Sequence, residues 1–398
     1  AGNWQAESSA FSATWTKVTT APSGATLTGV PSGDSPVSSV TLGVTSANGV
    51  TAYKYKFGAG GSSICAASSG YSASAINVGT SSSIDVSGAD GQYTICVIAR
   101  DTAGNWISYA NATTASWTKD TVAPSSVSFS GGPTGTSNST SVTLAVPTTG
   151  GIAGYRYKAV SGTDCSSSSG YASEVAAGTN STVDVSGIAD GTVTLCVIAK
   201  DNAGNWMTAA NASASTWTKD TTPPSSVSFS GSPTGTSNST SVTLAVPTTG
   251  GIAGYRYKAV SGTDCSSSSG YASEVAAGTN STVDVSGIAD GTVTLCVIAK
   301  DNAGNWMTAA NASASTWTKD TTPPSSVSFS GGPTGTSNST SITLAVPAAG
   351  GVAAYKYKAV SGTDCSSSSG YGSEVAAGTD STVSVASLAD GTVTLCVI

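Results

Sequence analysis

The stretch Leu195-Cys196-Val197-Ile198-Ala199-Lys200-Asp201-Asn202-Ala203-Gly204-Asn205-Trp206 decides the fold of this 398-residue chain. Its apolar half predicts a β-strand, its polar half predicts a tight turn, and the tryptophan opens the next strand. The stretch recurs at 295–306 and, more loosely, at 95–106. Its right half stands at 1–4 and its left half at 395–398. The chain therefore holds four strand-to-turn units.

The four units are spaced by one period of about a hundred residues. Trp4, Trp106, Trp206 and Trp306 are separated by 102, 100 and 100 residues. Residues 123–222 and 223–322 differ at only two positions, which indicates recent duplication. Such a period is too long for helical repeats or propeller blades and fits a small β-sandwich.

The fold class predicted is all-β: tandem immunoglobulin-like antiparallel β-sandwiches with about seven strands each. Within one repeat, short alternating apolar runs are separated by glycine-rich turns, and no helical period occurs. The predicted boundaries are 1–20, the last strand of a preceding or neighbouring-subunit domain, then 21–122, 123–222, 223–322, and 323–398, a repeat lacking its last strand.

The eight cysteines form pairs separated by 31 positions, each pair inside one repeat. The chain has no Cys-x-x-Cys and no histidine, so a disulfide in every domain is favoured over a metal site. Cys196 alternates with the apolar residues and is therefore expected on the outer face of its sheet, with its bridge clamping a loop onto that face. The predicted disulfide residues are Cys65, Cys96, Cys165, Cys196, Cys265, Cys296, Cys365 and Cys396.

The composition restricts both the compartment and the partners. Charged residues make up 9% of the chain and the net charge is −7, without the Lys/Arg clusters that nucleic-acid binding needs. No apolar run is long enough to span a membrane. Because disulfides persist outside the cytoplasm, we expect an extracellular or cell-surface protein.

No catalytic residues are predicted. Absence of histidine removes the commonest general base and the Ser-His and Cys-His nucleophile systems. Two carboxylates could form a glycosidase pair in principle, but a small sandwich offers no deep pocket, and Asp190 and Asp201 are typical turn residues. We expect no enzyme activity and no cofactor apart from calcium, considered below.

The repeated Asp-x-Ala-Gly-Asn after an apolar strand, followed by Trp-Thr-Lys-Asp-Thr-Thr-Pro-Pro, resembles the bacterial Ig-like, fibronectin-III-like tandem repeats of large secreted surface proteins. The resemblance covers the whole chain and implies adhesin stalks or extracellular filaments. Some adhesins of that kind bind calcium near domain junctions, so Asp201 and Asp220 are the calcium candidates here. The alternative is turn capping and solvated charge, which the isolated aspartates favour.

Two kinds of contact with glycans are considered: covalent glycosylation of asparagine and binding of a surface glycan as a ligand. Asn-x-Ser/Thr triplets make Asn138, Asn180 and Asn211 candidate glycosylation sites. The pair Tyr155/Tyr157 and Trp206 could stack on a bound sugar, although the alternation favours burial of the tyrosines.

The repeated stretch is divided between the two ends of the chain, at residues 1–4 and 395–398, and this suggests two interpretations. The chain is a window of a longer array, or Trp4 and Trp15 belong to a strand that completes the fourth repeat of the next copy beside Val397 and Ile398. In either case the partner is self, as a longer chain or a head-to-tail fibre. The predicted function is a structural filament or adhesin stalk; the alternatives are a glycan- or host-binding module and the spacer of a secreted enzyme.

Overall fold

The computed structural model describes residues 2–398, except the side chain of Ala47. Ala1, the first residue of the predicted terminal segment, lies outside that range. Across it the chain is built of strands and short 3₁₀ turns, and none of its helices has the length and apolar character needed to cross a membrane.

The strands follow the repeats. Repeat 1 contains β1 Leu27–Thr28, β2 Gly33–Ser35, β3 Ser39–Val44, β4 Val50–Ala59, β5 Ile76–Asn77, β6 Ser82–Asp85, β7 Gly91–Asp101 and β8 Thr113–Lys119. Repeat 2 contains β9 Thr136–Ser137, β10 Ser141–Leu144, β11 Ile152–Ser161, β12 Val175–Ala176, β13 Ser181–Asp184, β14 Gly191–Asp201 and β15 Ser213–Lys219. Repeat 3 contains β16 Thr236–Ser237, β17 Ser241–Leu244, β18 Ile252–Ser261, β19 Val275–Ala276, β20 Ser281–Asp284, β21 Gly291–Asp301 and β22 Ser313–Lys319. Repeat 4 contains β23 Ser341–Leu344, β24 Ala354–Tyr355, β25 Tyr357–Ser361, β26 Val375–Ala376, β27 Ser381–Ser384 and β28 Val393–Val397. The 3₁₀ turns are Glu7–Ser9, Ala47–Gly49, Ser62–Ala66, Tyr109–Asn111, Thr149–Gly151, Ala209–Asn211, Thr249–Gly251 and Ala309–Asn311.

Repeat 2 shows the sandwich in full. One sheet has the order β12-β11-β14-β15-β9 and the other pairs β10 with β13. All of these pairs are antiparallel except the last, because β9 runs parallel to β15, with Thr136 opposite Thr218. The predicted antiparallel arrangement is therefore wrong at this one edge of the sheet. The strand β9 has only two residues, which is too short for a sequence pattern to reveal, and it pairs with the last strand of the repeat.

The core of repeat 2 follows the predicted alternation. Tyr155, Leu195 and Val197 are fully buried and Trp217 is 3% exposed. They belong to one hydrophobic cluster between the two sheets, and three similar clusters lie within the other repeats. Each repeat thus has its own core, which is what a tandem array of small domains requires.

The disulfide of repeat 2 joins a loop to the outer face of the larger sheet. Cys165 lies in the loop after β11 and bonds to Cys196 on β14. Lys158, opposite Cys196 in the strand register, donates a hydrogen bond from Nζ to Ser167 O at 2.6 Å. Cys196 lies on the predicted outer face of the sheet and is fully buried because this loop covers it. The same pairing occurs at Cys65–Cys96, Cys265–Cys296 and Cys365–Cys396.

The chain divides into two compact units. The first comprises the residues up to Pro223 together with 301–305, and the second comprises 224–300 and 306–398. The repeat boundaries drawn from the sequence stay a prediction. In the first unit, residues 10–20 form no strand, and Trp15 is 82% exposed.

Repeat 4 shows what the last strand contributes. In repeats 1, 2 and 3, a strand that carries Trp117, Trp217 or Trp317 pairs with β7, β14 or β21. In repeat 4, β28 pairs with β25 alone among the described strands. Val393 is 42% exposed, while the equivalent Val193 is fully buried. The tryptophan strand therefore closes one side of the core in repeats 1, 2 and 3.

We expect Trp117→Ala to destabilise repeat 1 by about 3–5 kcal/mol, because it removes a buried indole that stacks on Phe57 and Tyr93. Hydrogen exchange of β7 peptides, read by mass spectrometry, measures the change, and the sequence of repeat 1 makes those peptides unique. Trp15→Ala is the matched control: in the dilute chain its exposed indole contributes nothing to repeat 1. If the two variants increased hydrogen exchange of β7 equally, Trp117 would not be the residue that closes the core of repeat 1.

Candidate functional site: the joint between repeats

The Asp-x-Ala-Gly-Asn turn is held by a single carboxylate. Asp201 ends β14, and its Oδ1 accepts hydrogen bonds from Gly204 N at 2.7 Å and Asn205 N at 2.8 Å. Asn205 Nδ2 donates to the other oxygen at 3.0 Å. Gly204 has φ +100, a conformation that side chains rarely adopt, which explains the glycine. The result is a rigid turn with its asparagine in a fixed position.

The fixed asparagine binds the linker that precedes its own repeat. A side-chain amide has two N–H donors, and Asp201 uses one of them. Asn205 Nδ2 also donates to the main-chain oxygen of Asp120 at 2.9 Å. The same bond joins Asn105 to Val18 O at 3.1 Å and, within the first unit, Asn305 to Asp220 O at 2.8 Å.

Each linker also forms hydrogen bonds with the repeat that precedes it, as the linker after repeat 2 shows. Asp190, in the turn before β14, accepts hydrogen bonds from Thr221 N at 2.9 Å and Thr221 Oγ1 at 3.0 Å, and from Thr222 Oγ1 at 3.1 Å. Asp90 and Asp290 make the corresponding bonds to Thr121 and Thr321. In the linkers after repeats 1 and 2, an aspartate of one repeat and an asparagine of the next thus hold consecutive linker residues, and we name this arrangement the joint. The linker after repeat 3 has the aspartate contact.

A buried lysine supports the aspartate of each joint. Lys219 is 4% exposed, and its Nζ lies 2.8 Å from Ile188 O and 3.0 Å from Asp190 Oδ1. Lys119 and Lys319 lie 3.5 Å from their aspartates. The linker amide of Thr221, followed by the Lys219 ammonium, lowers the pKa of Asp190 to about 2. The pKa values of Asp90 and Asp290 are lowered for related reasons.

The calcium candidates are engaged in hydrogen bonds of the joint. Asp201 accepts the three bonds described above, and Asp220 Oδ1 accepts Thr222 N at 3.0 Å. Within residues 2–398 no group of three or more His, Cys, Asp or Glu side chains is placed to hold a metal ion. These contacts match turn capping, and calcium binding stays a prediction.

The other predicted residues lie apart from the joint. Asn180 and Asn211 are exposed, as is Asn138, whose backbone N–H donates to Ala303 O at 3.2 Å within the first unit. Tyr155 is buried and its hydroxyl donates to Thr179 O at 2.6 Å. Trp206 is half-buried.

One face of Trp206 is already covered by a cation. The Arg156 guanidinium lies 4.4 Å from the ring centroid, and Lys200 Nζ lies 5.7 Å from it. Arg256 covers Trp306 in the same way at 4.5 Å. A cation stacked on the ring is a structural contact in its own right, and it occupies a surface that a sugar would need.

Sequence reasoning identified Asp190 only as a turn residue and missed its hold on the linker. The two partners are 31 positions apart and meet only after β14 and β15 have paired. The signal that could have found it was the recurrence of Asp in the turn and Thr in the linker at one fixed spacing in three repeats.

Solved structures of tandem fibronectin-III and related domains match this chain at low identity and low TM-score. The FN1–FN3 domains of chicken CNTN1 are 12% identical over 75% of this chain and 98% of that chain, with a TM-score of 0.30. Fibronectin(III)-like modules of CbhA from Clostridium thermocellum are 12% identical over 48% of this chain and 93% of theirs, with a TM-score of 0.28. Titin domains A168–A170 are 12% identical over 73% and 94%, with a TM-score of 0.29. No protein-family model and no curated protein matches the chain. The fold assignment rests on the strands, sheets and disulfides described above: tandem Ig-like β-sandwiches.

We expect Asn205→Ala to loosen the linker after Lys119 without changing the core of repeat 2. Of the two hydrogen bonds that the Asn205 side chain makes, one is to the linker, and losing about 1 kcal/mol there raises the population of open linker about fivefold. The rate of limited tryptic cleavage after Lys119 measures this opening. Asn202→Ala, in the same turn with an exposed side chain, is the control. If both variants are cleaved at the same rate, the asparagine does not hold the linker.

Protonation of Asp190 should release the linker only in strong acid. Its folded pKa of about 2 lies below the unfolded value of about 3.9, so its contribution is complete above about pH 4 and is lost as the pH falls through 2. The Thr221 amide proton, followed by NMR, should titrate with a midpoint near pH 2, and Asp190→Asn should abolish that titration. A midpoint near pH 4 would show that the Asp190 carboxylate is exposed to solvent and does not bind the linker.

Proposed function

We propose that this chain is a structural, extracellular protein, a tandem array of Ig-like domains that serves as a surface filament or adhesin stalk. The observation that carries the proposal is the recurrence of one joint. Asn105, Asn205 and Asn305 each bind the main chain of the preceding linker. A spacer must keep successive domains in a reproducible relation, and a joint fixed from both sides limits the freedom of the linker.

The disulfides fit a mechanical role. Each one ties a loop to a long central strand, so the chain between the two cysteines, which are 31 positions apart, stays closed when a domain is pulled open. Closing a loop of this size contributes about 3–4 kcal/mol to stability in the chain-entropy model. Since such bonds persist in oxidising compartments, they also support a location outside the cytoplasm.

Chemistry of the enzymatic kind has little support in this chain. Histidine is absent from the sequence, and the cysteines are oxidised. The carboxylates with lowered pKa values are turn and joint residues bonded to backbone amides. We therefore propose a non-enzymatic role. The half-buried tryptophans, stacked under arginine, favour a structural role over a glycan-binding one.

Pulling a single chain by its ends tests the mechanical role. In oxidised protein each unfolding event should release a repeat without its disulfide loop. Reduction should lengthen each event by about 110 Å, because 31 residues at about 3.6 Å each are freed.

The variant Cys165→Ser/Cys196→Ser is the matched control. It should give one long event in oxidised chains, and that event should not change on reduction. Unfolding without discrete events, or with lengths unaffected by reduction in the unmodified chain, would overturn the mechanical role.

A further inference from the structure

Each aspartate that binds a linker is followed directly by a glycine. The pairs are Asp90-Gly91, Asp190-Gly191 and Asp290-Gly291, in the turns that lead into β7, β14 and β21. In an Asp-Gly pair the aspartate carboxyl condenses readily with the next main-chain nitrogen, because glycine has no side chain to obstruct the approach. The sequence therefore places a chemically labile bond beside each of these three linkers.

The backbone of the turn requires the glycine. Gly91 has φ +144, Gly191 has φ +130 and Gly291 has φ +131. Residues with a side chain rarely adopt these values. A Cβ at Gly91 would contact no other atom, so the conformation and not the available space selects glycine. The labile bond is thus a consequence of the turn that starts the long strand.

The linker holds the carboxyl group of this bond. Asp90 Oδ2 accepts a hydrogen bond from Thr121 N at 2.9 Å, and both carboxylate oxygens accept from Thr121 Oγ1 at 3.0 Å. The Thr121 amide bond is the largest cause of a lowered pKa at Asp90. An ionised carboxylate loses an oxygen less readily than the neutral acid does. The bound linker therefore keeps Cγ of Asp90 in its less reactive form and in one orientation.

The same stretch of chain holds the nitrogen of the labile bond. Gly91 faces Lys119 in the antiparallel ladder, and the next residue, Gln92, directs its main-chain oxygen to Gly60 N on the other side. Gly91 and Lys119 are therefore the kind of pair that exchanges both main-chain hydrogen bonds. The Gly91 N–H is directed at Lys119 O, so residues 119–121 restrain both reacting atoms.

We propose that the Asp-Gly bond beside each linker is a latent modification site that opening of the linker unlocks. Once released, the Gly91 nitrogen attacks Cγ of Asp90 and forms an N–C bond. The nitrogen loses its proton and Cγ loses one oxygen, so one water leaves and a succinimide ring forms. A second water adds to a ring carbonyl and breaks one N–C bond. When the bond to the main-chain carbonyl carbon breaks, the product is isoaspartate, and no oxidant or cofactor is consumed.

Formation of isoaspartate prevents the linker contact from re-forming. The main chain then runs through the former side-chain carboxyl and is one methylene longer. The remaining carboxylate is attached one methylene closer to the backbone, so it no longer reaches Thr121 in the geometry described above. A reversible opening is thereby converted into a permanent change. This proposal goes beyond the mechanical role and does not depend on it, because the linker contacts are properties of the fold.

The rate of modification should follow the population of open linker. Ring formation requires the two reacting atoms in contact, a geometry that the closed linker excludes. Opening and closing of a local segment are fast compared with ring formation, so the reaction samples their equilibrium. A variant that weakens the linker contact should therefore accelerate the reaction at that linker alone.

Ageing of the full chain at neutral pH, followed by mass spectrometry, tests the proposal. Isoaspartate at residue 90 is read from the tryptic peptide 57–100, whose sequence is unique. Peptides 159–200 and 259–300 are identical and together report residues 190 and 290. Asn48-Gly49 lies exposed in a turn of repeat 1 and forms the same ring with loss of ammonia, so it is the positive control for the chemistry.

Thr121→Val removes the hydroxyl bonds to Asp90 and keeps the main-chain donor. We expect isoaspartate at residue 90 to form about fivefold faster, the effect of one net hydrogen bond, with no change at residues 190 and 290. Thr118→Val is the matched control, because this exposed threonine on β8 makes no contact with Asp90 among the described hydrogen bonds. It should leave all three rates unchanged.

Three results would overturn the control by the linker. One is an equal rate at residue 90 in the folded chain and in the chain denatured by urea. Another is an unchanged rate in Thr121→Val. The third is an equal acceleration at residues 90, 190 and 290, which would indicate that the substitution acts on the whole chain and not on one linker.

Limited trypsin digestion of the aged chain tests the permanence of the change. The fraction of molecules cleaved rapidly after Lys119 should equal the fraction that carries isoaspartate at residue 90. If molecules with isoaspartate resisted cleavage as well as the unmodified ones, the modification would not keep the linker open, and the proposal would be wrong. The pulling experiment on the mechanical role is unaffected by either result.

Discussion

The structure depends on the pairing of two adjacent strands, the long cysteine-bearing strand and the tryptophan strand that follows it. In repeat 2 this pairing buries Val193 completely, gives β9 its neighbour and places Lys219 beside Asp190. Repeat 4 has the same apolar residues on β28 without that cover, and its core is correspondingly smaller. Sheet closure and joint formation are therefore one event, because the strand that closes the core leads directly into the linker.

Scarcity of charge makes the placement of charge informative. Only 9% of the residues are charged, yet each of the first three repeats pairs a buried lysine with an aspartate at the joint. An exposed ion pair contributes little by itself. Here the aspartate also accepts the linker amide, so the lysine fixes the acceptor that orders the linker. The electrostatic contribution is to geometry more than to stability.

The sequence predicted the features that depend on local pattern, and missed those that depend on contact at a distance. The hundred-residue period and the alternation around Leu195 predicted the sandwiches, and cysteine spacing predicted their disulfides. The parallel strand β9 was missed because two residues carry no alternation. The alternation around Cys196 also predicted that the disulfide holds the Cys165 loop against the outer face of the sheet, and this cover buries Cys196. The grip of Asp190 on Thr221 follows only from the closed sheet.

The asparagine of each joint binds a main-chain carbonyl oxygen, and this explains how the array tolerates different side chains in the linker. Asn105 binds the carbonyl of Val18, whereas Asn205 binds the carbonyl of Asp120, so the side chain at that linker position does not affect the bond. The threonine that follows contributes its backbone N–H as well as its hydroxyl. A hundred-residue unit duplicated in frame therefore brings its own turn, aspartate and linker, and can form a joint with a neighbour that carries the same three features. Near-identity of two adjacent repeats is compatible with such growth.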